Sequence, residues 1–497
     1  DQASLDALIS RQSTPGNPDY HRFLTPGEFA ARFSPSVSTV DAVSGWAGTQ
    51  GLTVTSVSPN RMLVQVSGVT SAVAAAFGVT FHDFETAQGV RYHSPTQAGR
   101  LPAALVDKVS SVVGLSSLGR LAGSPTRHQS VLGTLQSVTG GTVLGGVLPH
   151  ATPALGQSLT PQALESFYNA SPSSDTSGGQ TIAIMAEGDV SQVPQDLATF
   201  ESINGLPRVP VTVIRTGGAS SDTSGLSEWD LDTQSSTGIA PNVSSLLLYD
   251  APSLNESDIL TEINRWVTDN KTKQASASLG ECESLAQASG LEPGGDQVLK
   301  QAVAQGKTLF ASSGDTGSFC AGLIGVNGVP LGEPGQGYPA TSPYVIGVGG
   351  TTITGLPAPL AEVSWIAGGG GISLTEPAAA FQKAAGGSFL PVGRGVPDVA
   401  FDADPLSGYT IVTNGQTTPG VGGTSLSSPC WLGVWARAQG AHSGGLGFAG
   451  PVIYNTEPAA AFNDIIVGDN VVYPATPGWD YTTGRGTPNI AAFVAGA

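Results

Sequence analysis

Charge is scarce in this chain. Asp, Glu, Lys and Arg make up only 12% of its 497 residues, about half the usual share, so few ion pairs are lost when carboxylates protonate. The charge present is negative, 38 acidic against 20 basic residues for a net of −18, which disfavours nucleic acid and anionic membranes as partners. Cysteine is almost missing. Cys282, Cys320 and Cys430 are too few for a disulfide scaffold and lack zinc-site spacing. The sequence has no apolar run of about 18 residues or more, so no membrane span is expected. It opens at Asp1 without Met, so any secretory signal peptide is expected to have been removed already. The default expectation is a secreted monomer.

The composition supports a sizeable core. Hydrophobic residues reach 40%, with 7 Trp and 16 Phe, and the length favours two folded units. Residues 1–120 read as a small α+β domain. Thr25-Pro26-Gly27-Glu28 fits a capping box with proline at the first helical position, and a second helix is predicted over 39–49. Alternating apolar residues at 52–57 and 63–66 predict two strands around a Pro59-Asn60 turn. A helix over 71–77 and a strand over 81–84 complete an order that fits a split β-α-β unit. Residues 121–157 are dominated by Ser, Thr, Gly and Pro and read as a linker open to nicking.

From 158 to 497 short buried strands alternate with helices, the pattern of a doubly wound α/β domain with a mostly parallel sheet. Strands are predicted near 181–185, 209–214, 244–248, 274–278, 308–311 and 344–348, with helices over 257–268 and 295–304. In such sheets a site lies at the carboxyl ends of the strands. The charge divides at the same place: residues 1–157 hold 9 basic and 8 acidic groups, and the remainder 11 and 30. That split predicts charge pairs between the halves that acid would weaken.

Gly422-Gly423-Thr424-Ser425 leads into an apolar run read as a helix. Ser425 at its start is either a helix cap or a nucleophile facing free backbone N–H groups. A serine nucleophile needs a base, and five of the six histidines, His21, His82, His93, His128 and His150, precede residue 158. Only His442 lies beyond, so the base is expected to be a carboxylate. Glu228 and Asp232 stand four apart and share one helix face, while Asp230 points elsewhere. They are either a solvated acidic face or a coupled pair sharing a proton. Asp315, in Ser313-Gly314-Asp315-Thr316-Gly317, follows a buried strand, although Gly-Asp turns are common.

Together these pieces resemble the sedolisins, or serine-carboxyl peptidases. The likeness rests on GGTSLSSP at 422–429, E-x-x-L-D at 228–232, and SSGDTG at 312–317 followed by YPATSPYVIGVGGTT at 338–352. It extends to GGGGIS at 368–373 after Trp365, RGVPDVAFDADPLSGY at 394–409, and NPDYHRFLTPGEFAARFSPS at 17–36 in the family's activation propeptide. SLGECE at 278–283 resembles the pseudomonalisin branch. The resemblance implies a subtilisin-like α/β fold with helices on both faces of a mostly parallel sheet, and a ferredoxin-like α+β propeptide acting as intramolecular inhibitor and chaperone. It implies Ser425 as nucleophile, Glu228 as general base, Asp232 as its orienting partner and protonated Asp315 as oxyanion donor, hence an acid optimum. It further implies a Cys282–Cys320 disulfide, autoprocessing in the linker, and protein or peptide substrates. One structural calcium ion is implied on the side chains of Asp464 and Asp480 and the carbonyls of Ile465, Thr476 and Gly478, with Thr476 where glycine is usual. The family includes endopeptidases and tripeptidyl exopeptidases, and a catalytically silent binding protein on the same fold is the third reading.

Overall fold

The computed structural model describes residues 2–85, 91–119, 121, 126–127, 158–170, 175–320, 335–354, 362–385 and 393–497. Most of the predicted linker, with His128 and His150, therefore lies outside the described residues.

The N-terminal domain opens with a helix that the sequence reading missed, Gln2–Gln12. Helix Pro26–Arg32 starts at the predicted capping box: the Thr25 hydroxyl accepts from Glu28 N at 3.2 Å, and Thr25 N donates to Glu28 Oε2 at 2.7 Å. Helix Val37–Thr49 begins earlier than expected because Ser36 caps it. Thr53–Val57 and Val64–Ser67 pair antiparallel, helix Thr70–Phe77 follows, and Phe81–Glu85 pairs with Arg91–Pro95. Among the described residues the strands form two separate two-stranded pieces. Ala47, Leu52, Phe77 and Val79 form the small core between them.

The second domain is built on an eight-stranded sheet. Its order runs Glu362–Ser364, Ile346–Ile353, Thr308–Ser312, Gln274–Ala277, Thr181–Glu187, Ser245–Ala251, Val211–Arg215, with Val399–Asp402 also paired to Ile346–Ile353. Every pairing is parallel except that of Glu362–Ser364. The inner strands are almost wholly buried, because helices cover both faces of such a sheet, while the edge strand Val211–Arg215 is largely exposed. Among the described residues no helix is long and apolar enough to cross a membrane.

Two helices matter most for the site, Leu226–Ile239 and Thr424–Ala441, and every position of the first except Ser227 is buried. They pack directly on each other because Gly433 has no side chain: a Cβ there would stand 2.8 Å from the Ser236 carbonyl oxygen. Both therefore sit at the sheet's core rather than on its surface.

The N-terminal domain docks onto the back of helix Leu291–Ala304. The Phe23 ring lies over Gly306 and Gly447, both in the left-handed conformation, where a Cβ would fall 2.4 Å and 2.1 Å from it. Asn60, buried between the domains, donates to Asn264 Oδ1 at 2.7 Å and Gln301 Oε1 at 2.8 Å. Gln12 Nε2 and Leu24 N both donate to the Ala304 carbonyl. Among the described residues only Lys300–Asp6, at 2.8 Å, is an ion pair across this interface. The expected array of charge pairs between the halves is thus absent from the described contacts. The basic groups of residues 2–119 instead serve their own domain, as in Arg11–Asp19, or hold carbonyls, as Arg61 does with Pro35 and Ala30.

Candidate active site

Ser425 is the second residue of helix Thr424–Ala441, reached through Gly423 at φ 105°. Gly422 must be glycine, since a Cβ would lie 2.3 Å from the Ala403 carbonyl oxygen. The serine thus sits where helical N–H groups are free, and Ser425 itself is 5% exposed. Pro429 removes the N–H that would bond the Ser425 carbonyl. The Ser278 hydroxyl stands 3.4 Å from that carbonyl.

Glu228 and Asp232 face this serine from the neighbouring helix and are fully buried. Burial pushes the Glu228 carboxyl well above the usual range, the Asp232 charge adds to the rise, and the Ser425 hydroxyl opposes it. Neither Glu228 oxygen has a hydrogen bond of ordinary geometry, although the Ser425 hydroxyl stands close enough to lower the carboxyl's pKa. Burial also raises Asp232, against the pull of Ser278, whose hydroxyl donates to Asp232 Oδ1 at 2.6 Å. Two carboxyls that influence each other this strongly titrate as a pair. Ser278, just beyond strand Gln274–Ala277, was absent from the sequence-level site. Its only signal was its position at a strand's carboxyl end.

Asp315 completes the group from the loop after strand Thr308–Ser312, and its charge also raises Glu228. Its Oδ1 accepts from Thr424 N at 2.8 Å and from the Thr424 hydroxyl at 2.9 Å. That hydroxyl in turn accepts from Gly314 N at 3.1 Å, so its own proton points at Oδ1. An oxygen accepting twice is a poor place for a proton; when Asp315 is protonated the acidic hydrogen therefore belongs on Oδ2.

Asp230 lies apart from the pair, as its helical phase requires. It faces Asp196, and burial, opposed by Thr413 and assisted by Asp196, raises its pKa to about 8. His442 ends the nucleophile's helix, 17 residues or ~25 Å from Ser425 at helical rise, and its ring nitrogen contacts the Val494 carbonyl at 3.2 Å. His21, His82 and His93 belong to the N-terminal domain. No described histidine is placed to activate Ser425.

Cys282 and Cys320 are disulfide-bonded, and Cys430 is a buried free thiol. The bridge ties the segment after Ser278 to the far end of the Asp315 loop. Near the C-terminus Asp464 Oδ2 accepts from Gly478 N at 2.9 Å, and Asp480 Oδ2 accepts from Thr476 N at 2.8 Å. Both aspartates thereby meet one turn, 476–480, and carboxylate and carbonyl oxygens are the donor types that calcium takes. Among the described residues no cluster of three or more His, Cys, Asp or Glu offers a metal site of another kind.

Described parts of the linker contact the catalytic domain. Leu121 N donates to the Leu254 carbonyl at 3.0 Å, and Thr126–Arg127 pairs antiparallel with Val421–Gly422, the strand that leads into Ser425.

Comparison with known proteins matches both domains of the chain. Residues 1–118 match the pro-kumamolisin activation domain and residues 215–449 the subtilase family. Sedolisin of Pseudomonas sp. (strain 101) is 34% identical over all of this chain and 85% of its own length. Xanthomonalisin of Xanthomonas sp. (strain T-22) is 33% identical over 98% of this chain, which spans 63% of that longer protein. Among solved structures, Pseudomonas sedolisin, a serine-carboxyl proteinase complexed with pseudo-iodotyrostatin, superposes with a TM-score of 0.63 at 36% identity, over 68% of this chain and 98% of that one.

Proposed function

The chain belongs to the sedolisin family of serine-carboxyl peptidases, and from that membership we propose that it is a secreted endopeptidase that works in acid and removes its own N-terminal domain. The observation that carries this reading is the buried group of Ser425, Glu228 and Asp232 beside the half-buried Asp315, with no described histidine next to it.

Ser425 Oγ attacks the scissile carbonyl carbon while the pair, ionised once, takes its proton at Glu228. Asp232, held by Ser278, retains the shared proton and fixes the orientation of Glu228. The developing oxyanion accepts a hydrogen bond from Asp315 Oδ2–H, the hydrogen left there by Thr424's two contacts. Collapse breaks the C–N bond, the proton passes from Glu228 to the leaving amine, and water hydrolyses the acyl-enzyme by the same steps in reverse. The pair serves as base only once it has lost one proton, and Asp315 donates only while protonated. The second condition favours acid.

Endopeptidase action is supported by Thr126–Arg127, a mid-chain segment paired with the strand that leads into Ser425. Cleavage of an N-terminally blocked peptide tests it. Release of tripeptides from free N-termini alone would install the exopeptidase reading. The Cys282–Cys320 disulfide supports an oxidising, extracytoplasmic destination.

Asp464 and Asp480 side chains with the Ile465, Thr476 and Gly478 carbonyls would hold one calcium ion. When bound, it supplies charge neutralisation between the two aspartates and no chemistry at Ser425. Chelation is expected to lower thermal stability before it changes kcat.

The decisive experiment traps the acyl-enzyme. An activated peptide ester, acid-quenched during turnover and digested, should leave the acyl mass on the Ser425 peptide. Turnover with the acyl group on another residue, or with none accumulating under burst conditions, contradicts the assignment.

A further inference from the structure

Asn470 lies in none of the motifs that carry the site, yet it is fully buried. Each of its polar groups is engaged. Its carbonyl accepts from Ser318 N at 3.0 Å and from Ser318 Oγ, and its N–H donates to the Tyr473 carbonyl at 3.1 Å. Its Oδ1 accepts from Tyr473 N and Ser318 Oγ, each at 3.2 Å. Its Nδ2 donates to the Gly370 carbonyl at 3.0 Å and the Gly368 carbonyl at 3.3 Å. One residue thus joins the segment after Asp315 to the glycine run after Trp365.

That glycine run is the other wall of the Asp315 turn. Gly369 N donates to the Gly314 carbonyl at 2.7 Å, the Ser313 hydroxyl to the Gly369 carbonyl at 2.7 Å, and Gly317 N to the Ala367 carbonyl at 2.8 Å. No side chain fits at the junction: a Cβ on Gly317 would stand 2.8 Å from the Asn470 carbonyl oxygen, and one on Gly370 3.0 Å from Asn470 Nδ2. The next residue, Val471, is held at φ 88°, a conformation that β-branched residues rarely adopt and that persists only where its surroundings impose it. The flanking amides do so, Val471 N donating to Asp469 Oδ1 at 2.9 Å and Val472 N to Ser318 Oγ at 3.0 Å.

We propose that Asn470 is a positioning residue for Asp315, clamping the far side of its turn to the glycine run while Thr424 holds the carboxyl itself. The inference rests on the oxyanion role assigned to Asp315 above. A donor that must meet a developing charge is sensitive to placement: a shift of about 1 Å costs on the order of 10²-fold in rate. Asn470 touches no reacting atom and acts only through Ser318 and the glycine strand.

The test uses the full-length chain activated in acid, with Asn470→Ala, Asn470→Asp and Asp315→Ala beside the parent. Asn470→Ala should lower kcat roughly 10- to 100-fold with KM little changed. It should weaken binding of a peptide aldehyde, which adds reversibly to Ser425, by the same factor. Asn470→Asp should keep part of its activity at about pH 3, where its protonated carboxyl has one O–H and keeps one of the amide's two donated bonds. It should then lose activity faster than the parent as that carboxyl ionises above about pH 4. This comparison of one folded protein with itself carries the test if Asn470→Ala does not fold. A parental kcat in Asn470→Ala overturns the proposal, as does an Asn470→Asp profile that overlays the parent's. A loss that follows the thermal midpoint while aldehyde affinity stays parental also overturns it. If Asp315→Ala is itself fully active, the oxyanion reading fails first; if Asp315→Ala is dead and Asn470→Ala is not, only the clamp fails.

Discussion

The two domains respond to acid in opposite directions. In the catalytic domain, carboxyls are buried against one another. Burial and the neighbouring Glu256 carry Glu281 up to about 9; burial with Asp296 and Glu292 does the same to Glu376, and burial holds Asp230 at about 8. A carboxyl whose folded pKa is raised contributes stability fully present below its unfolded value of ~4 and lost as pH rises through the folded value. The catalytic domain is therefore at its firmest in acid and weakens between about pH 4 and 9. The N-terminal domain buries no carboxyl among its described residues. Glu28, closing the capping box of helix Pro26–Arg32, has its pKa lowered by the Thr25 N–H and hydroxyl; its contribution is present at neutral pH and lost as pH falls through that lowered value. Burial lowers His21, so charging it below its usual ~6.5 also opposes the docked state. Activation by acid needs no wide array of interdomain ion pairs: it requires only that one partner loosen where the other tightens.

The largest effects should fall on the catalytic cluster. Glu228→Gln and Asp232→Asn should each lower kcat/KM by about 10³-fold or more, read with a blocked peptide near pH 4, while interdomain affinity stays unchanged. Thr424→Val removes the hydroxyl that directs the Asp315 proton and should cost roughly 10- to 100-fold in kcat. A cost confined to KM would break that assignment.

Next comes the pH contrast itself. In Ser425→Ala, which keeps both domains on one chain, calorimetry should show the catalytic transition moving down in temperature from pH 4 to pH 8 while the N-terminal transition does not. Glu281→Gln and Asp230→Asn should flatten that dependence, and parallel movement of both transitions would remove the contrast. At the interface, Asn60→Ala leaves Asn264 and Gln301 without a buried partner and should weaken docking by about 1–3 kcal/mol, measured by titrating separately produced domains. The smallest effect belongs to Asp6→Asn. Asp6 is half exposed, at 52%, and the pair should contribute no more than about 1 kcal/mol. A larger loss, strongly salt-dependent, would restore charge pairing as the latch.

Much of this was legible in the sequence, for physical reasons that differ by region. The strand–helix alternation after residue 158 stood out because parallel strands buried on both faces are nearly continuous apolar runs. The i, i+4 pair at Glu228 and Asp232 followed from helical phase alone. Helix Leu291–Ala304 began before its predicted start because Pro293 falls in a first turn, where proline is tolerated. Helix Gln2–Gln12 was passed over because its apolar face is only Leu5 and Leu8, completed by Ala304 of the other domain. Ser278, Thr424 and Asn470 act through tertiary hydrogen bonds to residues 46, 109 and 152 positions away, and no local pattern encodes such distances.

The central claim is that Ser425, served by carboxyls, cuts this chain's own linker in acid. It is tested most directly by incubating parent and Ser425→Ala at about pH 4 and at neutral pH, and following each by gel and intact mass. The account predicts that only the parent, and only in acid, shortens to a fragment beginning between residues 121 and 157. Equal shortening of Ser425→Ala, with other proteases excluded, would contradict it.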